Sequence, residues 1–322
     1  MKKIMIFDTS VASLNKGDEI IMQSCKKQLA FLLKDQFTVS MPTHTPMSHF
    51  YQNGYRFGVG HYFSGYDYKF VCGTNLINAN LFVPVPLWNV NLFNCRFVHN
   101  VICLGVGMGS NRSKPNFYTK MLYRRILSKE YIHSTRDERT AEFLRSMGFR
   151  AINTGCATTW ELTNEHCAEI PQTKAESVIF TLTDYKQDIE NDRKMIEVLK
   201  KNYKEVYFWV QGFKDLEYLK TLVDCNGIHI VEPSVAAYEK VLEGRVDFVG
   251  TRLHAGIKAM QKKCRTIIIA VDNRAVDMRK DIDLVTLKRS DIDQLETLIN
   301  KAFITKPNIK SQNMKTWLAQ FK

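Results

Sequence analysis

Short apolar runs alternate with amphipathic segments along most of this chain. The apolar runs include residues 3–7, 101–104 and 246–249, and the last two are followed directly by glycine. Between the runs lie segments such as 17–34 and 189–202, whose apolar residues recur at helical spacing. Alternating strands and helices form mostly parallel sheets that helices cover on both faces. The pattern therefore predicts an α/β protein.

The pattern restarts after Gly155, so we predict two domains in the 322 residues. Residues 1–162 and 175–305 would each form a Rossmann-like domain. The segment 163–174 is polar, contains a proline and lacks periodicity, so it is predicted to be the linker. The two mostly parallel sheets would face a cleft, and ligands of open α/β sheets bind where strand ends lead into helices.

The last segment, residues 306–322, is predicted to carry an amphipathic helix. Its apolar residues follow helical spacing and are Met314, Trp317, Leu318 and Phe321. We expect this helix to pack on the body of the protein. An interfacial helix that lies on a membrane is the alternative.

Composition indicates the class of protein and its expected cellular location. It is 45% hydrophobic and 24% charged, as in ordinary globular proteins. We expect no secretory signal and no membrane span, because no apolar run approaches about 18 residues. The expected location is cytoplasmic, with a peripheral position at the inner face of the membrane as the alternative. The eight cysteines lack C-x-x-C spacing and the eight histidines lack zinc-site spacing, so we expect reduced thiols.

The chain is strongly basic, with a net charge of +12 and an isoelectric point near 9.2. This balance favours anionic partners, such as phosphorylated small molecules or an anionic membrane surface. A diffuse charge that only aids solubility is the simpler alternative. No basic stripe with interleaved aromatic residues is present, so we expect no nucleic-acid partner.

The turn from Gly250 to His254 is the strongest candidate for a working site. It joins the buried strand 246–249 to the helix 253–262. A helix N-terminus offers unpaired N–H groups and partial positive charge to a phosphate. Arg252 adds a planar fork for a carboxylate or phosphate, and His254 can exchange a proton near neutral pH. A surface arginine followed by a capping histidine is the structural alternative.

Other polar or glycine-bearing turns also follow predicted strands. One contains Arg136 and Asp137 at the start of a helix, where Asp137 can cap it. The remaining candidates for lining the cleft are Asn15, Gly17, Asp18, Gly73, Thr74, Asn75, Gly107 and Gly250. No G-x-G-x-x-G fingerprint, P-loop or G-x-S-x-G motif is present. The D-x-D triplets 281–283 and 291–293 are weak metal candidates, so we expect neither a metal nor a cofactor.

Taken together, these turns resemble the polysaccharide pyruvyl transferase family over about residues 10–275. The residues that carry the resemblance are Asn15, Lys16, Gly17, Asp18 and Glu19, then Gly73, Thr74 and Asn75, then Ser134, Thr135, Arg136, Asp137, Thr140, Leu144, Gly148 and Gly155, and finally Gly250, Thr251, Arg252, Leu253 and His254. One departure is Gly155-Cys156-Ala157, where the family often has Gly-Asp-Pro.

The resemblance implies a GT-B-like fold and a reaction between phosphoenolpyruvate and a sugar diol. The products would be a pyruvate ketal on a saccharide or lipid-linked saccharide, and free phosphate. The resemblance also implies that Arg136, Arg252 and the backbone of Leu253 bind the donor, and that His254 protonates its methylene carbon. Phosphoenolpyruvate would be a co-substrate, with no cofactor. Two alternatives remain: a GT-B-type glycosyltransferase that uses a nucleotide sugar, and a non-catalytic scaffold in a polymer-forming complex.

Overall fold

A computed structural model describes residues 1–47, 63–82, 86–109, 114–271 and 283–322 of the protein. The chain forms two compact units. The first unit contains Met1–Ser13, Ile21–Trp160 and Lys310–Lys322, and the second contains Leu14–Ile20 and Glu161–Ile309. Each unit has its own parallel sheet and its own hydrophobic core.

The first unit is built on a four-stranded sheet in the order β2-β1-β3-β4. A smaller parallel pair, β5-β6, continues from it through a parallel bridge between Val106 and Thr135. The strands are β1 (Lys3–Asp8), β2 (Phe37–Pro42), β3 (Tyr68–Cys72), β4 (Val101–Leu104), β5 (His133–Thr135) and β6 (Ala151–Asn153). Every residue of β4 is buried, as expected of an apolar strand in a parallel sheet that is covered on both faces.

Helices pack on this sheet and connect its strands. They are α1 (Lys16–Gln28), α2 (Ala30–Leu33), α3 (Phe117–Ile126) and α4 (Glu138–Ser146). Asn116 caps α3 by accepting a hydrogen bond from the backbone N–H of Thr119. Asp137 caps α4 in the same way through Thr140, as the sequence predicts. Helix α1 begins in the stretch that is grouped with the second unit, although the sequence predicts it wholly within the first domain.

The second unit is built on a six-stranded parallel sheet in the order β12-β11-β10-β7-β8-β9. Its strands are β7 (Ser177–Thr181), β8 (Glu205–Trp209), β9 (His229–Val231), β10 (Val246–Gly250), β11 (Thr266–Ala270) and β12 (Thr286–Lys288). Its helices are α5 (Asn164–Ala168), α6 (Ile189–Asn202), α7 (Asp215–Leu222), α8 (Val235–Leu242), α9 (Leu253–Gln261) and α10 (Leu295–Asn300). Strand β10 lies between β7 and β11, so the turn after Gly250 starts at the middle of the sheet edge.

The last helix, α11 (Ser311–Ala319), packs within the first unit. Trp317 is fully buried, and its indole Nε1 donates a hydrogen bond of 2.8 Å to the backbone oxygen of Ile132. Phe321 is also buried, and its ring lies 5.4 Å from that of Phe70. The apolar face of α11 is therefore covered by the protein itself.

The observed division differs from the predicted one at two further places. The longer segment of the second unit begins at Glu161, and the predicted linker 163–174 contains helix α5. Residues 310–322 belong to the first unit. All ladder pairs between the described strands are parallel, which confirms the predicted class. None of the described helices combines the length and hydropathy that crossing a bilayer requires.

Candidate functional site

Gly250 ends strand β10 and lies against strand β7. A Cβ at this position would stand 2.8 Å from the backbone nitrogen of Thr181 and 3.0 Å from its oxygen, so a side chain would collide with the neighbouring strand. The backbone N–H of Thr251 donates 3.1 Å to that same oxygen. The glycine thus allows close strand pairing at the point where the chain leaves the sheet. Its role in contacting a ligand stays a prediction.

Arg252 is buried and is held by three acceptors. Its Nε donates 2.7 Å to the backbone oxygen of Leu182, just beyond strand β7. Its Nη2 contacts the carboxylates of Asp184, at 2.8 Å, and Asp215. Within the described residues, Nη1 makes no hydrogen bond. An anionic ligand could therefore be held by Nη1, while the rest of the guanidinium is fixed by the protein.

Asp215 compensates this buried guanidinium. Its side chain is fully buried, and its Oδ2 accepts 2.7 Å from the backbone N–H of Gly212. Burial raises the pKa of Asp215, and the neighbouring Arg252 opposes this effect. Two carboxylates around one guanidinium leave no excess positive charge there. Arg252 is thus less available to an anion than the sequence implies.

Helix α9 begins directly after Arg252, and no side chain caps it. The backbone N–H groups of Leu253 and Ala255 have no acceptor among the described residues. His254 lies in this first turn and is half-buried, like Leu253. An uncapped helix N-terminus attracts anions, because its N–H groups carry partial positive charge. The imidazole of His254 and the uncapped backbone N–H groups of α9 therefore lie on the same turn.

The turn before α1 belongs to the second unit and lies beside Arg252. Asn15 Oδ1 accepts hydrogen bonds from the Gly17 backbone N–H, at 3.0 Å, and from Gln211 Nε2, at 2.8 Å. Asn15 also forms a bridge with Gly212, and a Cβ on Gly212 would overlap Nη2 of Arg252. The structure thus brings Asn15 and Gly17 together with the Arg252 turn.

Asp18 and Gln211 also lie in this region. Asp18 is half-buried in the first turn of α1. Gln211 is 4% exposed, and its Oε1 has no hydrogen-bond partner among the described residues. A buried acceptor without a partner has lost its hydration, so a ligand that donates a hydrogen bond there would recover that cost.

In the first unit, the candidate turns after β3 and β4 contact each other. The backbone N–H of Gly107 donates 2.8 Å to the oxygen of Thr74. Gly73 has a φ of 65°, and a Cβ there would overlap Ile21. Asn75 lies next in the chain, and its buried Oδ1 has no hydrogen-bond partner among the described residues. The two turns therefore form one continuous edge.

Arg136 extends over Gly107 on that edge. A Cβ at Gly107 would overlap the Arg136 guanidinium, so glycine is required for this placement. The Arg136 side chain is only 12% exposed. Its sole ion pair within the described residues joins Nε to Asp137 Oδ2 at 3.5 Å, and Asp137 already caps α4. Arg136 is therefore the largely buried cation with the least compensation among the candidate residues.

Other candidate chemistry has a structural explanation or no support. His133 is buried, its Nε2 lies 2.8 Å from the oxygen of Ser128, and burial lowers its pKa to about 4. None of the eight cysteines forms a disulfide. The described part of the chain holds no group of three metal-ligating side chains. Of the triplet 281–283, the first two residues lie outside the described residues.

Sequence reasoning missed Asp184, Asp215 and Gln211. All three lie just beyond strands β7 or β8, which flank each other in the sheet. The rule that drew attention to Gly250 applies equally to these strand ends. Thr183-Asp184 and Gln211-Gly212 were therefore available as signals.

A family model described as polysaccharide pyruvyl transferase matches residues 15–273. That range includes the Asn15, Arg136 and Arg252 turns. No curated protein matches the sequence.

Several solved structures share the fold. S. aureus MnaA with UDP is 13% identical, with a TM-score of 0.53 over 98% of this chain and 94% of that chain. The UDP-GlcNAc 2-epimerase of Methanocaldococcus jannaschii, with UDP-GlcNAc and UDP, is 14% identical, with a TM-score of 0.53 over 99% of both chains. Another UDP-N-acetylglucosamine 2-epimerase is 10% identical, with a TM-score of 0.54 over 99% and 95%. These likenesses confirm the predicted GT-B-like fold and nothing further.

Proposed function

Because the chain belongs to the polysaccharide pyruvyl transferase family, we propose that it transfers the pyruvyl group of phosphoenolpyruvate to a saccharide. Two hydroxyl groups of the acceptor become bonded to one carbon, which gives a pyruvate ketal and free phosphate. The observation that carries the proposal is Arg136, a largely buried guanidinium whose two Nη atoms have no carboxylate partner among the described residues. Such a group favours a small, highly charged anion.

Donor binding would use groups that the protein leaves available. Arg136 offers both Nη atoms, and Arg252 offers Nη1. The uncapped start of α9 adds the backbone N–H of Leu253. Phosphoenolpyruvate carries a carboxylate and a phosphate, and either group can be bound by a guanidinium or by backbone N–H groups at a helix N-terminus. Asp184 and Asp215 would act as positioning residues that hold the Arg252 guanidinium in one orientation.

The chemistry would begin with a proton from His254. Protonation of the methylene carbon turns it into a methyl group and leaves a cationic carbon, which one acceptor hydroxyl attacks. That hydroxyl gives up its proton, and the C–O bond to phosphate then breaks. The second hydroxyl attacks the same carbon and loses its proton. One proton ends on the methyl group and the other on phosphate, so the reaction is balanced without a cofactor.

Phosphate release tests this proposal. Purified protein is incubated with phosphoenolpyruvate and a panel of saccharides, and phosphate is measured with and without each acceptor. We expect release only when both substrates are present, and much less with Arg136→Met. Lys129→Met, an exposed cation in the same unit, is the matched control. Hydrolysis of a nucleotide sugar by the same sample, with no consumption of phosphoenolpyruvate, would favour a glycosyltransferase instead.

A further inference from the structure

The first unit contains a groove that none of the candidate turns forms. Its volume is about 460 Å³, within the range of about 300–1,000 Å³ that small-molecule sites occupy. The groove is lined by Leu81, Phe82, Pro86, Asn89, Val90, Asn91 and Tyr118. None of these side chains is charged, although the chain has a net charge of +12. Its lining therefore suits a neutral ligand.

Aromatic rings form one part of the groove. Phe82 is 79% exposed, and its ring meets that of Tyr118 edge to face with centroids 5.7 Å apart. Exposed apolar side chains that line a groove indicate a binding site. The rings offer flat apolar faces of the kind that stack on the C–H face of a pyranose.

Polar groups without partners form another part of the groove. The side-chain amide of Asn89 and the hydroxyl of Tyr118 make no hydrogen bond to any described residue. Asn91 is oriented by the backbone N–H groups of Phe93, at 2.9 Å, and Asn94, at 3.2 Å, which both donate to its Oδ1. The Asn91 NH₂ group therefore remains available as a donor. Amides and a hydroxyl supply both donors and acceptors, which match the hydroxyl groups of a sugar.

Hydrogen bonds to helix α3 and its N-cap hold the side of the groove that Leu81 forms. The backbone N–H of Leu81 donates 2.8 Å to Thr119 Oγ1. Asn116, which caps α3, donates 2.7 Å from its Nδ2 to Asn80 Oδ1. A wall that is already ordered costs a ligand less conformational entropy on binding.

The groove adjoins the edge that carries Arg136. A Cβ on Gly109 would lie 3.2 Å from the backbone oxygen of Asn75 and 3.9 Å from Leu87 Cδ1. Gly109 follows Gly107, the residue beneath Arg136, by two positions. Leu87 belongs to the segment between Pro86 and Asn89 that lines the groove. The groove and the donor-binding edge are thus neighbours within one unit.

We propose that this groove binds the acceptor saccharide, by stacking a neutral pyranose on Phe82 and Tyr118 and by hydrogen bonds to Asn89 and Asn91. The identity of the ligand as an acceptor rests on the proposed function, whereas its binding can be measured without catalysis. A lipid chain would leave the amides and the hydroxyl unpaired. A saccharide satisfies them and also covers the rings.

Saccharide binding by the groove is tested on the full chain without phosphoenolpyruvate. Saturation-transfer NMR and titration measure the binding of lactose, cellobiose and N,N′-diacetylchitobiose. We expect at least one of these disaccharides to bind. Phe82→Ala and Asn89→Ala should each weaken binding about tenfold, as expected if each removes about 1.4 kcal/mol. Phe117→Ala is the matched control, because Phe117 is 84% exposed and adjacent to Tyr118 but does not line the groove. Circular dichroism verifies that every variant is folded.

Several outcomes would overturn the proposal that the groove binds a saccharide. One is that none of the three sugars binds, and another is that both variants bind them with unchanged affinity. A third is that the protein self-associates, or binds neutral phosphatidylcholine vesicles, and that Phe82→Ala abolishes this association without affecting sugar binding. In turnover, Phe82→Ala should raise the KM for the acceptor and leave the KM for phosphoenolpyruvate unchanged. Sugar binding that depends on the groove, without use of phosphoenolpyruvate, would support the groove and refute pyruvyl transfer. Pyruvyl transfer that Phe82→Ala leaves unaltered would support the proposed function and refute the groove as the acceptor site.

Discussion

Arg252 and Asp215 form a buried ion pair in the second unit, with side chains that are 5% and 0% exposed. Asp184 contacts the same Nη2 atom at 2.8 Å. The pair fixes the guanidinium at the residue that precedes α9 and leaves Nη1 without a partner among the described residues. Arg252 is thus a group whose orientation the protein determines before any ligand arrives.

Asp215→Asn should lower the free energy of unfolding by about 3 kcal/mol, because it leaves a buried guanidinium with reduced compensation. It should also raise the KM for phosphoenolpyruvate, since Arg252 is then less well oriented. Urea titration and steady-state kinetics measure the two effects. Asp184→Asn is the control with a smaller expected effect, because Asp184 is 22% exposed. Equal stability of Asp215→Asn and the unaltered protein would contradict the structural importance of the pair.

Gly107→Ala should impair donor binding through Arg136. The added methyl group overlaps the guanidinium, so the arginine must move away from the edge formed by Gly107 and Asn75. We expect the KM for phosphoenolpyruvate to rise about tenfold or more, the effect of losing one charge-assisted hydrogen bond of about 1.5–3 kcal/mol. Gly244→Ala is the control, because a Cβ there meets only the Val241 oxygen at 3.4 Å. An unchanged KM in Gly107→Ala would show that Arg136 does not bind the donor.

His254→Gln should reduce kcat by about 10²–10⁴-fold, the usual contribution of a general acid. In D₂O, the ketal methyl group formed by the unaltered protein should carry one deuterium, because a solvent-derived proton reaches the methylene carbon. Mass spectrometry of the product measures this. His229→Gln, which alters an exposed histidine of the same unit, should retain full activity. A product without deuterium would rule out protonation of that carbon.

His133 should make the first unit sensitive to acid. Burial lowers its pKa from 6.5 to about 4, so the unfolded chain binds a proton more readily than the folded chain. The stability that this histidine contributes is complete above pH 6.5 and is lost as the pH falls toward 4. The expected loss is about 3 kcal/mol across that window. His133→Gln should flatten the change in unfolding free energy, whereas His229→Gln should not; parallel curves for all three proteins would contradict this.

Much of the fold follows from local sequence patterns. Apolar runs and helical spacing predict strands β1, β4, β10 and helix α6 to within a few residues, because burial on both faces of a parallel sheet leaves a clear hydrophobic signal. The placement of the Asn15 turn could not be predicted in this way. Asn15 is bound by Gln211, a residue distant in sequence, and such a contact leaves no periodic pattern.

The candidate site was only partly predictable for the same reason. The residue types at the Arg252 and Arg136 turns indicate anion binding, but their compensation depends on contacts across strands. Asp215 neutralises Arg252, whereas the Arg136 guanidinium has one ion pair within the described residues, from Nε to Asp137 Oδ2 at 3.5 Å. The sequence treats the two arginines as equivalent, and only their surroundings distinguish them.

Pyruvyl transfer is tested most directly by product analysis after incubation with phosphoenolpyruvate and a saccharide acceptor. We expect one phosphate to be released for each ketal formed, and we expect neither product when either substrate is omitted. Arg136→Met should prevent both while the protein remains folded. Formation of a ketal that is independent of Arg136, or the absence of any ketal across a broad acceptor panel together with no binding of phosphoenolpyruvate by calorimetry, would contradict the proposed function.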